Sequence, residues 1–446
     1  MHLVLRIFLV GTLTAMMAVP STAAPTTPTI EDGKALLAKA AAAETAKQYD
    51  KALDLYLRSY LAGQRSGEVR DQIHNCLRLT AQTKRHRDQA FRQFVLALPP
   101  SEALNLYAEI VQKLSTHHAD KDKAKPQRLF ALSLQEIERA LSDAAFRKQN
   151  LPKASDAKLA KFIKSLKEEW PLRLPATSRE ARAALQELVR TALSELMLSE
   201  TTSLILEAIC GASGGLDEST MYLAPSQVPD KTDVEPSVTR SEMIDPMAGV
   251  GLIAIGRFRE TTVTEFDLAL QRLKEAGLRS LVLDLRGNSG GSFLAAIRLA
   301  ERFVPAGALV STIGQLTEID GRVYSSASGM TALDVPLVVL VDARTMSAAE
   351  VFASAVKDAG RATLIGMNTF GKGSVQSPVP LDSADDADTA HGKPRTGTLM
   401  VTIAKVLTSN GTPLHGAGVA PHVIEPESTL QMRLATQRAA ELTGMR

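Results

Sequence analysis

The sequence predicts an α/β core preceded by an all-α helical domain. From Ile30 to about Gly211, Ala- and Leu-rich stretches keep apolar residues three and four positions apart, the period of a helix face. From Gly249 onward, short apolar runs alternate with helical patterns, as expected for a sheet covered on both faces. With 446 residues, 45% hydrophobic and 22% charged, the chain has globular composition and the length of two to three domains.

The N-terminus, "MHLVLRIFLVGTLTAMMAVPSTAAP", carries one cation, an apolar run from Ile7 to Val19, and small residues at Ser21 and Ala23. That is the pattern of a secretory signal peptide over residues 1–23, with cleavage after Ala23. The run is too short for the ~18–20 apolar residues of a membrane span. Export to a periplasm or the outside follows as the expected localisation.

Residues 30–221 form the predicted helical domain. "GKALLAKAAAAETAKQYDKALDLYLRSYLAG" reads as two antiparallel helices turning near Gln48, similar to one tetratricopeptide unit. No second copy follows at the ~34-residue period, so the rest is expected to be a bundle rather than an array. A partner or a second copy of the chain could associate through it. Cys76 and Cys210 lie in helical contexts, leaving a disulfide and two buried thiols both open. His117, His118 and Asp120 are expected in a solvated polar turn. Residues 222–248, rich in Pro, Asp and Ser, read as a linker.

Residues 249–446 are the predicted core. "GVGLIAIGRF" is a strand, "TVTEFDLALQRLKEAG" a helix, "RSLVLDL" a strand and "SFLAAIRLAERF" a helix. "VPLVVLVD" is a strand, "SAAEVFASAVKDAG" a helix and "GTLMVTIAKVLT" a late strand. The net charge of +2 and 4% aromatic content give no footprint for nucleic acid. "GMNTFGKGSVQ" begins like a phosphate loop, but Gly373 stands where a magnesium-binding hydroxyl belongs. The "SVQSPVPL" that follows suits an edge strand rather than a helix, so no nucleotide is expected. No cluster has metal-ligand spacing, and no cofactor is expected.

Three serines are candidates for chemistry. Ser289, in "VLDLRGNSGGSF", fits the G-x-S-x-G elbow of an α/β-hydrolase, with Asp342 and His391, His415 or His422 downstream in a suitable order. Ser347, in "RTMSAAEVF", opens a helix as an S-x-x-E capping box with Glu350. The same position lets the helix dipole and the Ala348 N–H favour a developing oxyanion. Ser374 has no supporting context. A serine needs a base, and Lys372 can serve if neutral. That means lowering its pKa from ~10.4 towards ~7–8, about 3–4 kcal/mol, by burial beside groups such as Phe370. Gln376 falls on the same strand face and can orient the amine without adding charge.

The stretches "GLIAIGRF", "LVLDLRGNSGG", "PLVVLVDARTMSAAEVFASAVKDAGRATLIGMNTFGKGSVQ" and "TIAKVLTSNGTPLHGAGVAPHVI" resemble the catalytic core of the carboxy-terminal processing (tail-specific) peptidases. The resemblance implies a crotonase/ClpP-like α/β core and a serine endopeptidase acting on protein or peptide substrates. It implies Ser347 as nucleophile, Lys372 as base, Gln376 as its positioner, and an oxyanion hole of Gly290, Gly291 and Ala348. "GASGGLDESTMYLAPSQ" resembles the segment before the family's peptide-binding PDZ domain, but the 27 residues 222–248 are too few to build one. Related cores also occur in binding proteins without protease activity, so a non-catalytic apolar-ligand or peptide-binding protein remains an alternative beside the Ser289 esterase.

Overall fold

The computed structural model describes residues 32–228, 235–326, 332–381 and 396–444. The signal-peptide reading (1–23) and His391 lie outside them. The helical region comprises α1 (Gly33–Thr45), α2 (Tyr49–Leu61), α3 (Gly67–Arg85), α4 (Gln89–Ala97), α5 (Pro100–His117), α6 (Pro126–Ser142), α7 (Ala144–Asn150), α8 (Asp156–Glu168), α9 (Ser178–Leu196) and α10 (Thr201–Gly214). The α1/α2 hairpin turns at Ala46–Gln48, as its sequence indicates. α10 is buried along nearly its whole length and crosses α6 closely. Gly211 makes this possible, because a Cβ there would lie 2.6 Å from Leu132 O and from Glu136 Cβ.

The core holds two sheets. A six-stranded sheet has the order β11–β8–β7–β4–β3–β2. Its strands are β2 (Val238–Asp245), β3 (Val250–Ile255), β4 (Ser280–Asp284), β7 (Leu337–Val341), β8 (Ala362–Gly366) and β11 (Val423–Ile424). All neighbours are parallel except β2, which runs antiparallel to β3. Val250, Leu252, Val282, Val338, Leu340 and Ile365 pack under Ala435 and Ala439 of the C-terminal helix α14 (Ser428–Gly444). The alternate residues face a cluster that includes α11 (Thr262–Glu275), α12 (Phe293–Glu301) and α13 (Ala348–Asp358). Burial on both faces explains the unbroken apolar runs. The second sheet, antiparallel, places β1 (Met221–Leu223) beside β10 (Thr398–Thr408), which also pairs with β5 (Gly307–Gly314) and with β9 (Ser374–Val379); β6 (Val323–Ser326) completes it. β9 pairs with β10 alone, so its Pro378 sits on an edge strand.

Two sequence expectations need correction here. The stretch 222–248 is not a linker: it contributes to β1 and contains β2, the edge of the larger sheet. Its polar composition is that of an edge strand with half of its residues exposed and none buried. Nor is the helical region a separate domain. One apolar cluster runs from Phe91 in α4 to Val419 after β10. Ala119 N donates to Thr402 O at 2.7 Å, and Asp217 accepts from Thr402 Oγ1 at 3.1 Å.

Candidate active site

Ser347 stands where β7 hands over to α13, with φ 56° and ψ −120°, a backbone conformation that costs about 1–3 kcal/mol unless its surroundings impose it. They do so from three directions. Met346 N donates to Asn288 O at 2.9 Å, and Ser347 N donates to Glu350 Oε2 at 2.8 Å. Gly290 lies against the serine, and a Cβ there would come within 2.8 Å of Ser347 Cβ.

Glu350 is fully buried and ties Ser347 to Lys372. Its Oε2 accepts from Ser347 N and Lys372 N, and its Oε1 from Gly371 N and Thr369 Oγ1. Burial pushes its carboxyl upward, but each oxygen already accepts two hydrogen bonds, which leaves no place for a proton and favours the carboxylate. The capping glutamate of the sequence reading therefore does more than cap α13.

Ser347 and Lys372 line one small pocket with Ala348, Ser374 and the apolar groups of Phe293, Val351, Val375 and Val406. Lys372 is 6% exposed. Burial lowers its pKa below the ordinary lysine value, while Glu218, Asp217 and Glu350 pull the other way and Arg257 reinforces the shift. Phe370, expected to supply the apolar surroundings, instead packs outward against Tyr60 with ring centroids 5.0 Å apart.

The remaining site residues divide. Gln376 is buried, but its Nε2 donates to Ser374 Oγ at 2.8 Å rather than to Lys372. Ser374, which sequence context did not recommend, thus stands between Gln376 and the pocket. β9 alternates its side chains, so Ser374 and Gln376 share a face. Gly290 does not offer a free amide, because its N–H donates to Asn288 Oδ1 at 2.8 Å. Among the described residues the N–H groups of Gly291 and Ala348 donate to no protein acceptor, so they are the pair available to an oxyanion. Gly291 has φ +135°, and a Cβ there would fall 1.8 Å from Phe258 O. Only glycine fits.

The Ser289 alternative finds no support. Asp342 Oδ1 is occupied by backbone amides of Gly287, Arg344 and Thr345. His422 Nδ1 accepts from Leu364 N, and His415 sits with Arg70 near Glu218. The turn around Ser289 is there for its glycines. His118 also departs from expectation: it is 2% exposed and its Nε2 pairs with Asp217 Oδ2 at 2.8 Å. Both cysteines are free thiols, pushed up to about 12 by burial, which removes the disulfide option.

A buried serine on a strained turn at a helix start, a buried lysine lining the same pocket and two available amides come together on the α/β core. Residues 249–424 match the model of Peptidase family S41. That segment is similar to carboxy-terminal processing peptidases as well. It is 35% identical over 195 residues to the carboxyl-terminal-processing protease of Synechocystis sp., covering 44% of this chain and 42% of that protein. It is 35% identical over 184 residues to the carboxy-terminal processing protease CtpA of Bacillus subtilis, covering 41% and 36%. A solved photosystem II D1 C-terminal processing protease aligns at 18% identity and TM-score 0.43, over 72% of this chain and 92% of that one. The chain thus spans less than half the length of the curated relatives it matches.

Proposed function

We propose that the chain is a serine endopeptidase that hydrolyses peptide bonds of protein substrates by a Ser/Lys mechanism. The observation that carries this reading is the joint placement of Ser347 and Lys372 in one apolar pocket, with both backbones tied to Glu350. Neutral Lys372 takes the proton from Ser347 Oγ as that oxygen attacks the substrate carbonyl. The tetrahedral oxyanion is held by Gly291 N–H and Ala348 N–H, each worth about 3 kcal/mol of transition-state stabilisation. The protonated amine then returns its proton to the leaving amine, and water repeats the cycle on the acyl-enzyme. Gln376 acts at one remove, holding the Ser374 hydroxyl against the pocket.

The test is hydrolysis of casein and short peptides. Ser347→Ala and Lys372→Ala should each lose about 10³-fold or more in kcat, while Ser289→Ala stays at the wild-type rate. Loss confined to Ser289→Ala would overturn the assignment, and no hydrolysis of any substrate would favour a binding protein. We also propose export, tested by N-terminal sequencing of exported protein, which should begin at Ala24. No helix of the described residues is long and apolar enough to cross a membrane. The helical region, with Leu172, Leu174 and Met197 exposed, is the proposed place for a partner or a second copy. Light scattering of the intact chain against Leu172→Ser checks this.

A further inference from the structure

The loop that carries Lys372 is held from two sides by two different parts of the chain. On its N–H side the catalytic core does the holding. Thr369 N donates to Val419 O, Phe370 N to Thr345 O, and Gly371 N and Lys372 N to Glu350. On its C=O side the helical region does most of it. The four consecutive carbonyls of Asn368, Thr369, Phe370 and Gly371 accept from three side chains: Arg65, Tyr60 and Arg70. Arg65 spans two of them, reaching Asn368 O at 2.8 Å with one guanidinium nitrogen and Thr369 O with the other. Tyr60 Oη donates to Phe370 O at 2.8 Å, and Arg70 reaches both Tyr60 Oη and Gly371 O at 3.1 Å.

These three residues come from one short piece of chain, the end of α2, the turn after it and the first turn of α3. The packing repeats the pattern. Among the described residues, the apolar core of the α1/α2 hairpin includes two buried residues of the catalytic core, Met346 and Phe370. Met346 immediately precedes the nucleophile and Phe370 lies two residues before the base. The Tyr60 ring is fully buried against Phe370, so hairpin and loop share one surface.

We propose that this segment is a positioning element of the reaction: seating Tyr60, Arg65 and Arg70 on the lysine loop fixes Lys372 opposite Ser347, and the peptidase is competent only while the hairpin is seated. The proposal rests on the Ser/Lys reading above. Its physical basis is that a buried carbonyl left without a donor is costly, so a loop that loses these donors shifts to find others. A shift of about 1 Å at a catalytic group can cost roughly a hundredfold in rate. A helical region that controls the base from outside the active-site pocket also gives anything that binds the hairpin a handle on activity.

The experiment uses the full chain with Tyr60→Phe, which keeps the ring and removes the hydroxyl, Arg65→Met, which removes both donors, and Arg65→Lys, which restores the charge and one donor. For a short peptide substrate kcat should fall roughly ten- to a hundredfold in the first two with KM unchanged, and Arg65→Lys should recover part of the loss. Amide hydrogen exchange at Thr369–Lys372 should accelerate in parallel. Unchanged kcat and unchanged exchange in Tyr60→Phe and Arg65→Met would overturn the proposal. If Ser347→Ala keeps wild-type activity, it is the peptidase reading that fails, and the exchange measurement still decides whether the hairpin holds the loop.

Discussion

A lysine acts as a general base only in its neutral form, so on the proposed mechanism the environment of Lys372 sets the pH at which the site works. Burial moves its pKa down and Glu218, Asp217 and Glu350 limit the fall. Activity should therefore rise with pH through a midpoint below the ordinary lysine value of 10.5, as a kcat–pH profile will show. Lys372→Arg should be inactive across that range, because a guanidinium stays protonated. The Ser374–Gln376 contact makes a second claim. If Gln376 works through Ser374, then Ser374→Ala and Gln376→Ala should each lower kcat, and the double variant should be no slower than the worse single one. Additive losses would mean independent roles. That Ser347 and Lys372 line one pocket was anticipated because each has a local signature, a helix cap and a glycine-flanked lysine before a strand. The split between Gly290 and Gly291 was not. It depends on Asn288 Oδ1 capturing the Gly290 amide, a contact that residue types and spacing do not specify.

At the scale of elements, α3, α6 and α10 are joined by a buried ionic network. Arg85 pairs with Glu207 at 2.8 Å and with Glu136 at 3.3 Å. His86 lies between Glu207 and Asp143, at 3.2 and 2.9 Å. Burial opposes a charge on His86, but hydrogen bonding and attraction from Glu207, with Asp143 adding to it, outweigh that and raise its pKa above 6.5. A raised pKa means that the folded state holds the proton more tightly than the unfolded chain. The resulting stability is fully present below about pH 6.5 and is lost as pH rises through the folded value. Melting temperature, through this group, should be higher at pH 6 than at pH 8, and His86→Gln should shrink that difference. An identical difference in the variant would remove His86 as its source. Helices of this region were legible from their period, whereas their charged clasp joins residues more than fifty positions apart. β2 was misread for a related reason: an edge strand with no buried residue and half of its side chains exposed has the composition of a linker.

At the scale of the whole molecule, the helical region and the α/β core are one body. The sequence marks a change of texture near residue 222, and that change is real, but the two regions pack against each other across it. The apolar cluster crosses it, β1 pairs with β10 across it, and the hairpin seats on the lysine loop. The C-terminal helix α14 was likewise not singled out, since only two of its buried residues, Ala435 and Ala439, are apolar. This organisation bears on specificity. A relative carrying a PDZ domain would capture a substrate's free carboxylate by strand addition in a backbone nest. Here Pro225–Gln227 form a short 3-10 turn and Val238–Asp245 form β2, and substrate selection is expected to fall to the cleft and the helical surface beside it. A peptide offered as free acid and as amide should then be cleaved with nearly equal kcat/KM. A tenfold preference for the acid, about 1.4 kcal/mol, would reveal a carboxylate-reading site and overturn that expectation. The comparison belongs on the intact chain, because removing the hairpin would also strip the donors from the Asn368–Gly371 carbonyls. On the positioning proposal, a truncated protein should lose activity towards short and long substrates alike, leaving the contribution of the helical surface to substrate capture unread.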